Sequence, residues 1–348
     1  MLKASHISSC FRLLVTIAFV FVFKVSTAQD YHFSQFYNNP TGLNPALTGA
    51  FDGVVRASVT GRTQWLSVTK PFLTVAAGVD GAVYKNGRRQ ELLAVGINFN
   101  GDKAGDMGYS SVQAVASLSY IKNIGHHGRH KIGIGLYGGI VNNNLDPASG
   151  TWDNQYYGGI YVPGSPSGET FEITHRLYPD FGAGAFWGFV PSKTTLFRVS
   201  VGVSHINRPF YGFSESNARL PVRYNVHFYS QIGVSREVSI YPMIYLSLQK
   251  KFSEYLIGCN AEYFKKKNSY TTLYTLGGGL FYRIKDAIVL NGFVSFQNIR
   301  FSIGYDINVS SFVQATHGRG GVELSLSYIF KRKTITRIGK EPCPYDIM

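Results

Sequence analysis

Alternation of apolar with polar or small side chains constrains the fold of this sequence more than any other feature. At least fourteen stretches of about ten residues show it. In the clearest stretch, one face carries Val322, Leu324, Leu326, Tyr328 and Phe330, and the other carries Glu323, Ser325 and Ser327. Because successive side chains of a strand point to opposite faces, such a segment offers one face to an apolar phase and the other to polar surroundings.

The fourteen segments predict an all-β fold, a transmembrane antiparallel β-barrel of the outer membrane. They are 54–62, 72–84, 91–99, 110–122, 130–141, 179–190, 195–205, 222–234, 237–249, 254–264, 270–284, 286–296, 299–307 and 321–331. Their length, their even number and the 23 tyrosines and 25 phenylalanines favour a membrane barrel over a soluble sandwich. Strands that cross lipid must close on themselves, because an open edge would leave backbone groups unpaired.

The start of the chain is typical of a cleavable export signal. Lys3 and Arg12 precede the apolar run 13–23, and Ser26 and Ala28 supply small residues at a cleavage site. The run is shorter than the roughly 20 residues that a membrane-spanning helix needs. We therefore expect a signal peptide at 1–28, a periplasmic N-terminal segment at 29–53 that could plug the barrel, the barrel at 54–331 and a periplasmic tail at 332–348.

The connections between the segments predict how the barrel is oriented. Outer-membrane barrels alternate short periplasmic turns with longer external loops. With a periplasmic N-terminus, the short connections 85–90, 123–129, 191–194 and 235–236 face the periplasm, and the long connections 142–175 and 206–221 face outward. The connections near Lys250 and Lys285 are also short, so the outer rim should be low on that flank.

Composition excludes some classes of protein. The formal net charge is +14, but the basic residues are spread along turns and strand faces instead of forming one patch, so we expect no nucleic-acid partner. After signal cleavage only Cys259 and Cys343 remain, too few for a disulfide-built scaffold, and their pairing stays open.

One apparent cofactor motif lies in the wrong context. Gly133, Gly135 and Gly138 match the spacing of a dinucleotide-binding loop, but they lie inside a strand pattern with no following helix. Glycines there are better explained by bending or by close backbone approach. His126, His127 and His130 occupy a glycine-rich turn without neighbouring cysteines or carboxylates. We expect no cofactor and no metal site.

Several ionisable residues fall on the faces predicted to line the lumen. They are Arg198, Arg223, His227, Arg300, Asp306 and Glu323. One interpretation is structural, with the arginines paired to Asp306, Glu323 or loop carboxylates so that they hold the barrel shape. The other is functional, a cationic interior that attracts an acidic ligand or peptide.

The segments that flank the barrel are the most distinctive. The expected mature N-terminus reads QDYHFSQFYNNP and continues into LNPALTG at 43–49, and RTQW follows at 62–65. Together with IGYD at 303–306 and GVELSLSY at 321–328, these motifs resemble the PorP/SprF family of Bacteroidetes, which is associated with type IX secretion and gliding. The resemblance covers nearly the whole mature chain. The tail at 341–345, EPCPY, is also similar to the family ending, although the residues after it differ.

The resemblance implies a non-enzymatic accessory that exports or anchors adhesin-like clients, with other secretion components and outer-membrane lipids as partners. Candidate partner-binding residues are Phe33, Phe36, Tyr37, Asn44, Pro45, Arg62 and Trp65. The three aromatic residues of the N-terminal segment could instead plug the barrel, and Trp65 could be a girdle residue at the membrane interface. A diffusion channel or small-solute transporter is the leading alternative, followed by an outer-membrane hydrolase.

Overall fold

A computed structural model describes residues 30–331, except 66–69, 88, 126–127, 170–172, 214–217, 269–270 and 312. Fourteen antiparallel strands form a closed barrel in which β16 pairs with β1. The barrel strands are β1 (Val55–Gln64), β2 (Phe72–Asn86), β3 (Glu91–Ala104), β4 (Tyr109–Ile124), β5 (His130–Asn144), β8 (His175–Ser192), β9 (Thr195–Ser204), β10 (Arg223–Gly233), β11 (Val238–Gln249), β12 (Phe252–Asn268), β13 (Thr271–Arg283), β14 (Ala287–Phe296), β15 (Ile299–Asn308) and β16 (Arg319–Phe330). The short strands β6 (Tyr156–Tyr157) and β7 (Ile160–Tyr161) form a separate hairpin in the longest loop.

All fourteen predicted strands are present, so the predicted fold class is confirmed. Several strands are longer than predicted: β3 continues to Ala104, and β8 begins at His175. The added residues are polar or mixed, so they do not carry the apolar alternation on which the prediction depended. The hairpin β6–β7 was not predicted, because two-residue strands have no detectable period. The predicted signal peptide and C-terminal tail, with Cys343, lie outside the described residues.

The two ends of the barrel differ in their connections. We call the end where β1 begins and β16 ends the terminal rim, and the opposite end the loop rim. The described connections at the terminal rim are short, as between β8 and β9, whereas the loop rim carries 145–174 and 205–222. By the usual asymmetry of outer-membrane barrels, we expect the terminal rim to face the periplasm. The loop rim is low where β11 meets β12 and where β13 meets β14.

Side chains sort between the two faces of the wall as the alternation predicts. On β2, Val79 points outward and is 53% exposed, while Asp80 points inward and is 4% exposed. On β15, Ile303 is 48% exposed and Ser302 is 2% exposed. The outer surface is therefore apolar, and the inward face carries both the polar side chains and a buried apolar cluster. Within the described part of the chain, no helix combines the length and apolar character needed to cross a bilayer.

The N-terminal segment lies inside the barrel. We call residues 30–50 the plug. The plug contains a 3-10 helix (Phe36–Asn38), a single α-helical turn (Pro40–Leu43) and a second 3-10 helix (Pro45–Leu47). Pro40 and Pro45 occupy the first positions of the two later turns, where a backbone N–H would have no partner within the helix, so its absence in proline costs nothing. The side chains of Asn39 and Asn44 cap these turns by accepting hydrogen bonds from Gly42 N and Ala46 N.

Apolar residues of the plug form one hydrophobic core with the wall. Phe36 stacks on Tyr245 with ring centroids 4.9 Å apart and meets Phe281 edge to face. Leu47 is 1% exposed and belongs to the same cluster. Because the barrel is too wide for its own side chains to fill it, burial of the plug supplies the apolar packing that stabilises the interior.

Glycines in the wall make room for the plug backbone. A Cβ atom on Gly135 would lie 2.5 Å from Ala46 N, and one on Gly202 would lie 2.8 Å from the carbonyl oxygen of Leu43. Both contacts are too short for any other residue. The glycine pattern at 133–138 therefore includes a close backbone approach, as the sequence context suggested.

Candidate functional site in the barrel interior

The plug starts at the loop rim with a buried ionic contact. His205, which follows β9, has Nδ1 2.9 Å from Asp180 and Nε2 2.7 Å from Asp30. Burial alone would lower the pKa of His205, but the two carboxylates outweigh it and raise the pKa to about 10. Burial alone would raise the pKa of Asp30, but His205 and its hydrogen bond, with Arg223, lower it to about 2. The imidazolium therefore donates a hydrogen bond to each carboxylate at neutral pH.

A second contact joins the plug to four strands. The Oδ2 atom of Asp306 lies 2.7 Å from Arg62 Nη2 and 3.2 Å from Arg283 Nη1. Ser34 of the plug donates its hydroxyl to the same oxygen at 2.8 Å. Arg283 also has its Nε 3.1 Å from Glu254. The result is a buried network of alternating charge in which a plug hydroxyl takes part.

Glu323 binds the plug backbone directly. Its two carboxylate oxygens accept hydrogen bonds from the backbone nitrogens of Ser34 and Gln35, at 2.8 and 2.9 Å. Nearby, Arg62 Nη1 donates to the carbonyl oxygen of His32 at 2.8 Å. Since Glu323 is 1% exposed, these bonds are shielded from water. The last strand of the barrel therefore holds the first part of the plug.

Toward the terminal rim, the plug is held by β2 and β4, which lie on the other side of β1 from β16. Thr48 Oγ1 lies 2.9 Å from Ser117 Oγ on β4. The backbone nitrogen of Gly49 donates to Asp80 at 2.7 Å, and the same carboxylate binds Arg56 through Nε at 2.9 Å and Nη2 at 2.8 Å. The plug thus runs through the whole lumen, from the loop rim at Asp30 to the start of β1.

The structure places all six predicted lumen residues in the barrel interior. Three arginines have different surroundings. Arg223 donates to the Tyr31 carbonyl oxygen at 3.2 Å, and Arg300 pairs with Glu262, which the sequence did not suggest as its partner. Arg198 has no carboxylate partner among the described residues. Its guanidinium lies 4.9 Å from the centroid of the Tyr229 ring.

The candidate partner-binding residues are mostly inaccessible. Arg62 lies inside the barrel, where its ion pair with Asp306 leaves it 1% exposed. The plug residues are also buried, namely Phe33, Phe36, Tyr37, Asn44 and Pro45. Trp65 is only half-buried and packs against Phe72, with ring centroids 4.7 Å apart and ring planes inclined by 56°. In this conformation, only Trp65 of the seven offers a surface to a partner.

Sequence reasoning missed several residues that hold the plug. Arg56, Asp80, Asp180 and Arg283 are inward-facing charges of the same kind as those that were predicted. Alternation of charge and apolar residues along β1, β2, β8 and β13 could have found them. His205 was missed because it ends the predicted segment 195–205 on the apolar, outward-facing positions, whereas β9 ends at Ser204.

A cavity lies beside the plug. Its volume is about 90 Å³, and it lies near the loop rim between the plug and β3, β4, β5, β8 and β10, lined in part by Asp30, Asp102, Tyr109 and Arg223. It is large enough for a few water molecules and too small for a wide solute passage. The described residues contain no group of three or more His, Cys, Asp or Glu side chains placed to bind a metal.

The fold resembles outer-membrane transport barrels of known structure. The Ralstonia pickettii toluene transporter TbuX has a TM-score of 0.53 at 12% identity, over 84% of this chain and 94% of TbuX. The Pseudomonas putida toluene transporter TodX has a TM-score of 0.50 at 9% identity, over 87% of this chain and 95% of TodX. At these identities the similarity concerns the fold alone. No curated protein sequence matches the chain significantly.

The closed barrel, the apolar outer wall and these similarities define a protein of the outer membrane. The family model for the type IX secretion system membrane protein PorP/SprF matches residues 25–328. The chain therefore belongs to the PorP/SprF family, as its motifs suggested.

Proposed function

We propose that this protein is a non-enzymatic accessory of type IX secretion that binds adhesin-like secreted clients and helps to export them or attach them to the cell surface. Membership of the PorP/SprF family carries the proposal. The plugged interior supports it, because a barrel whose lumen is crossed by a bonded segment is suited to docking a partner at its rim. Other secretion components and outer-membrane lipids complete the proposed set of partners.

The plug argues against the alternative of a diffusion channel. The plug spans the lumen, because Ser34 is bonded to Glu323 on β16 while Asn44 is bonded to β8 and Leu43 to Asn225 on β10, on the far side of the barrel. A solute that followed the path of the plug would have to break buried hydrogen bonds to pass. We therefore expect the purified protein in planar bilayers to show no steady ion conductance. Conductance comparable with that of an open porin would favour the channel.

The loop rim offers accessible apolar surface for a client. Trp65 is half-buried there, and in the β6–β7 hairpin Tyr157 is 62% exposed and Ile160 is 71% exposed. Exposed apolar groups of this kind, away from the lipid-facing wall, are common at protein interfaces. We place client contact at these three residues, and contact with the buried plug residues would require release of the plug.

Client handling tests the proposal directly. In a strain lacking the wild-type gene, Trp65→Ala should reduce the cell-surface level of the secreted client while the barrel stays at normal abundance. Trp187→Ala is a matched control, because Trp187 lies on the outer wall and stacks with Phe189. The control should leave the surface client unchanged. Equal client levels for wild type, Trp65→Ala and a strain without the protein would refute the proposal.

A further inference from the structure

The interior near the terminal rim contains polar groups that the plug does not satisfy. On the inward face of β9 and β10, Arg198 Nε and both ring nitrogens of His227 are buried without a hydrogen-bond partner among the described residues. Arg198 is 4% exposed and His227 is 2% exposed. Buried polar atoms in native proteins are nearly always paired, so such a pair needs an explanation.

Burial of the Arg198 guanidinium without a carboxylate partner carries a large cost in free energy. A guanidinium keeps its charge in proteins, and burying it unpaired is expensive. Every other inward-facing arginine of the described wall that is buried has a carboxylate partner: Arg56 binds Asp80, Arg62 binds Asp306 and Arg283 binds Glu254. Arg198 instead lies over the Tyr229 ring, and a cation–π contact offsets only part of the desolvation.

The two unsatisfied residues are neighbours on one surface. Arg198 pairs in register with Tyr229, and His227 with Ser200, so Arg198 and His227 are diagonal neighbours on the inward face. Diagonal neighbours have Cα atoms about 7–8 Å apart, within reach of one small group that binds both. Phe36 of the plug meets His227 edge to face at 5.1 Å between ring centroids. The plug therefore covers one side of this surface.

The chemistry of the two side chains defines the ligand. Arg198 supplies a planar set of N–H donors suited to two oxygens, and the His227 ring supplies one more N–H donor. One unpaired positive charge balances one negative charge, whereas a phosphate dianion would leave charge uncompensated. Arg198 lies three residues after β9 begins at the terminal rim, so the shorter route to it starts at the periplasmic mouth.

We propose that Arg198 and His227 form a binding site for a single carboxylate group that reaches the barrel interior from the periplasmic side. The carboxylate belongs either to a small free anion or to the end of a peptide chain. The site does not depend on the proposed secretion role, because purified barrel is enough to test it.

The test follows the thermal unfolding midpoint of the purified full-length barrel, read from its gel mobility after heating. Two probes replace chloride at constant ionic strength: acetate, and N-acetyl-glycylglycine compared with its C-terminal amide. A ligand that binds only the folded state raises the midpoint as its concentration rises. We expect a rise with acetate. A rise with the dipeptide acid but not with its amide identifies a chain end as a second source, and a response to acetate alone identifies a small free anion.

Arg198→Met should abolish the carboxylate-dependent rise. Since removal of an unpaired buried charge relieves desolvation, this variant should be at least as stable as the wild type in chloride. His227→Phe keeps the packing on Phe36. In this variant, the probe concentration needed for a given rise of the midpoint should be at least threefold higher than in the wild type. Arg300→Gln is the control, because Arg300 is already paired with Glu262 and its loss should leave the response intact. A wild-type midpoint indifferent to both probes, or a response that survives Arg198→Met, would overturn the proposal.

Discussion

The carboxylate of Glu323 in the last strand accepts a hydrogen bond from the backbone nitrogen of Gln35 in the plug, at 2.9 Å. The two residues are 288 positions apart in the sequence. The bond joins the last strand of the barrel to the N-terminal plug. Because β16 also closes the barrel by pairing with β1, we expect barrel closure and binding of the plug to be coupled.

Replacing Glu323 with glutamine should loosen the start of the plug. One carboxylate oxygen of Glu323 accepts a hydrogen bond from Ser34 N, and the other accepts one from Gln35 N. A glutamine amide has only one oxygen to accept such bonds. A buried donor left unsatisfied costs about 1–3 kcal/mol. Hydrogen exchange followed by mass spectrometry should therefore be faster over 30–40 in Glu323→Gln. Glu91→Gln is the control, since Glu91 pairs with Lys122 at the terminal rim. Equal exchange in both variants would refute the role of Glu323.

Arg62 should matter for stability more than for client binding. Arg62→Ala removes one partner of a buried ion pair, which typically costs about 3–5 kcal/mol, although Arg283 still faces Asp306. The heat-modification midpoint should fall clearly, and the amount of barrel in the membrane should fall with it. A variant of normal stability that fails to display the client would show instead that Arg62 contacts the client.

Gly135 should be intolerant of any side chain because of the plug. In Gly135→Ala the new Cβ atom meets the backbone at Ala46, so the second 3-10 helix must move. Gly138→Ala is a matched control on the same strand, where the new atom faces the Phe181 ring at 3.1 Å. We expect faster exchange over 43–48 and a lower midpoint for Gly135→Ala only. Identical behaviour of the two variants would mean that the plug does not approach β5 in the membrane.

The contact between His205 and Asp30 should depend on pH. The pKa of His205 is raised from 6.5 to about 10, so its stabilisation is complete below pH 6.5 and is lost as the pH rises toward 10. The pKa of Asp30 is lowered from 3.8 to about 2, so its stabilisation is present above pH 3.8 and is lost as the pH falls toward 2. The contact is therefore strongest between about pH 4 and pH 6.5.

Comparison of His205→Gln with the wild type measures this dependence. The difference between their unfolding midpoints should be largest near pH 5 and should shrink by pH 10. His175→Gln, at an exposed position at the start of β8, should show no such dependence. A constant difference between wild type and His205→Gln across this range would indicate a packing role for His205.

The wall of this protein could be predicted from the sequence, because each strand carries its own two-residue period. Val79 and Asp80 reveal their faces without knowledge of any other strand. The family could also be recognised, since its motifs are contiguous. Even the glycines at 133–138 were correctly read as sites of close approach or bending.

The path of the plug could not be predicted in the same way. Its bonds join residues that are far apart in sequence, such as Ser34 with Asp306 and Asn44 with Ala185. No local pattern tells which wall residue a short helical turn will meet. Arg62 shows the consequence, because its burial depends on an ion pair with Asp306, which lies 244 positions later in the sequence and two strands away in the barrel.

The position of the plug in the living outer membrane is tested most directly by a disulfide between Thr48→Cys and Ser117→Cys. Their hydroxyl oxygens lie 2.9 Å apart, which brings the two side chains close enough for a bridge. With Cys259 and Cys343 replaced by serine, mild oxidation of whole cells should link the two positions, as mass spectrometry of the digested barrel would show, and neither single-cysteine variant should form the link. Failure to cross-link, together with labelling of position 48 by a membrane-impermeant maleimide, would contradict a plugged barrel.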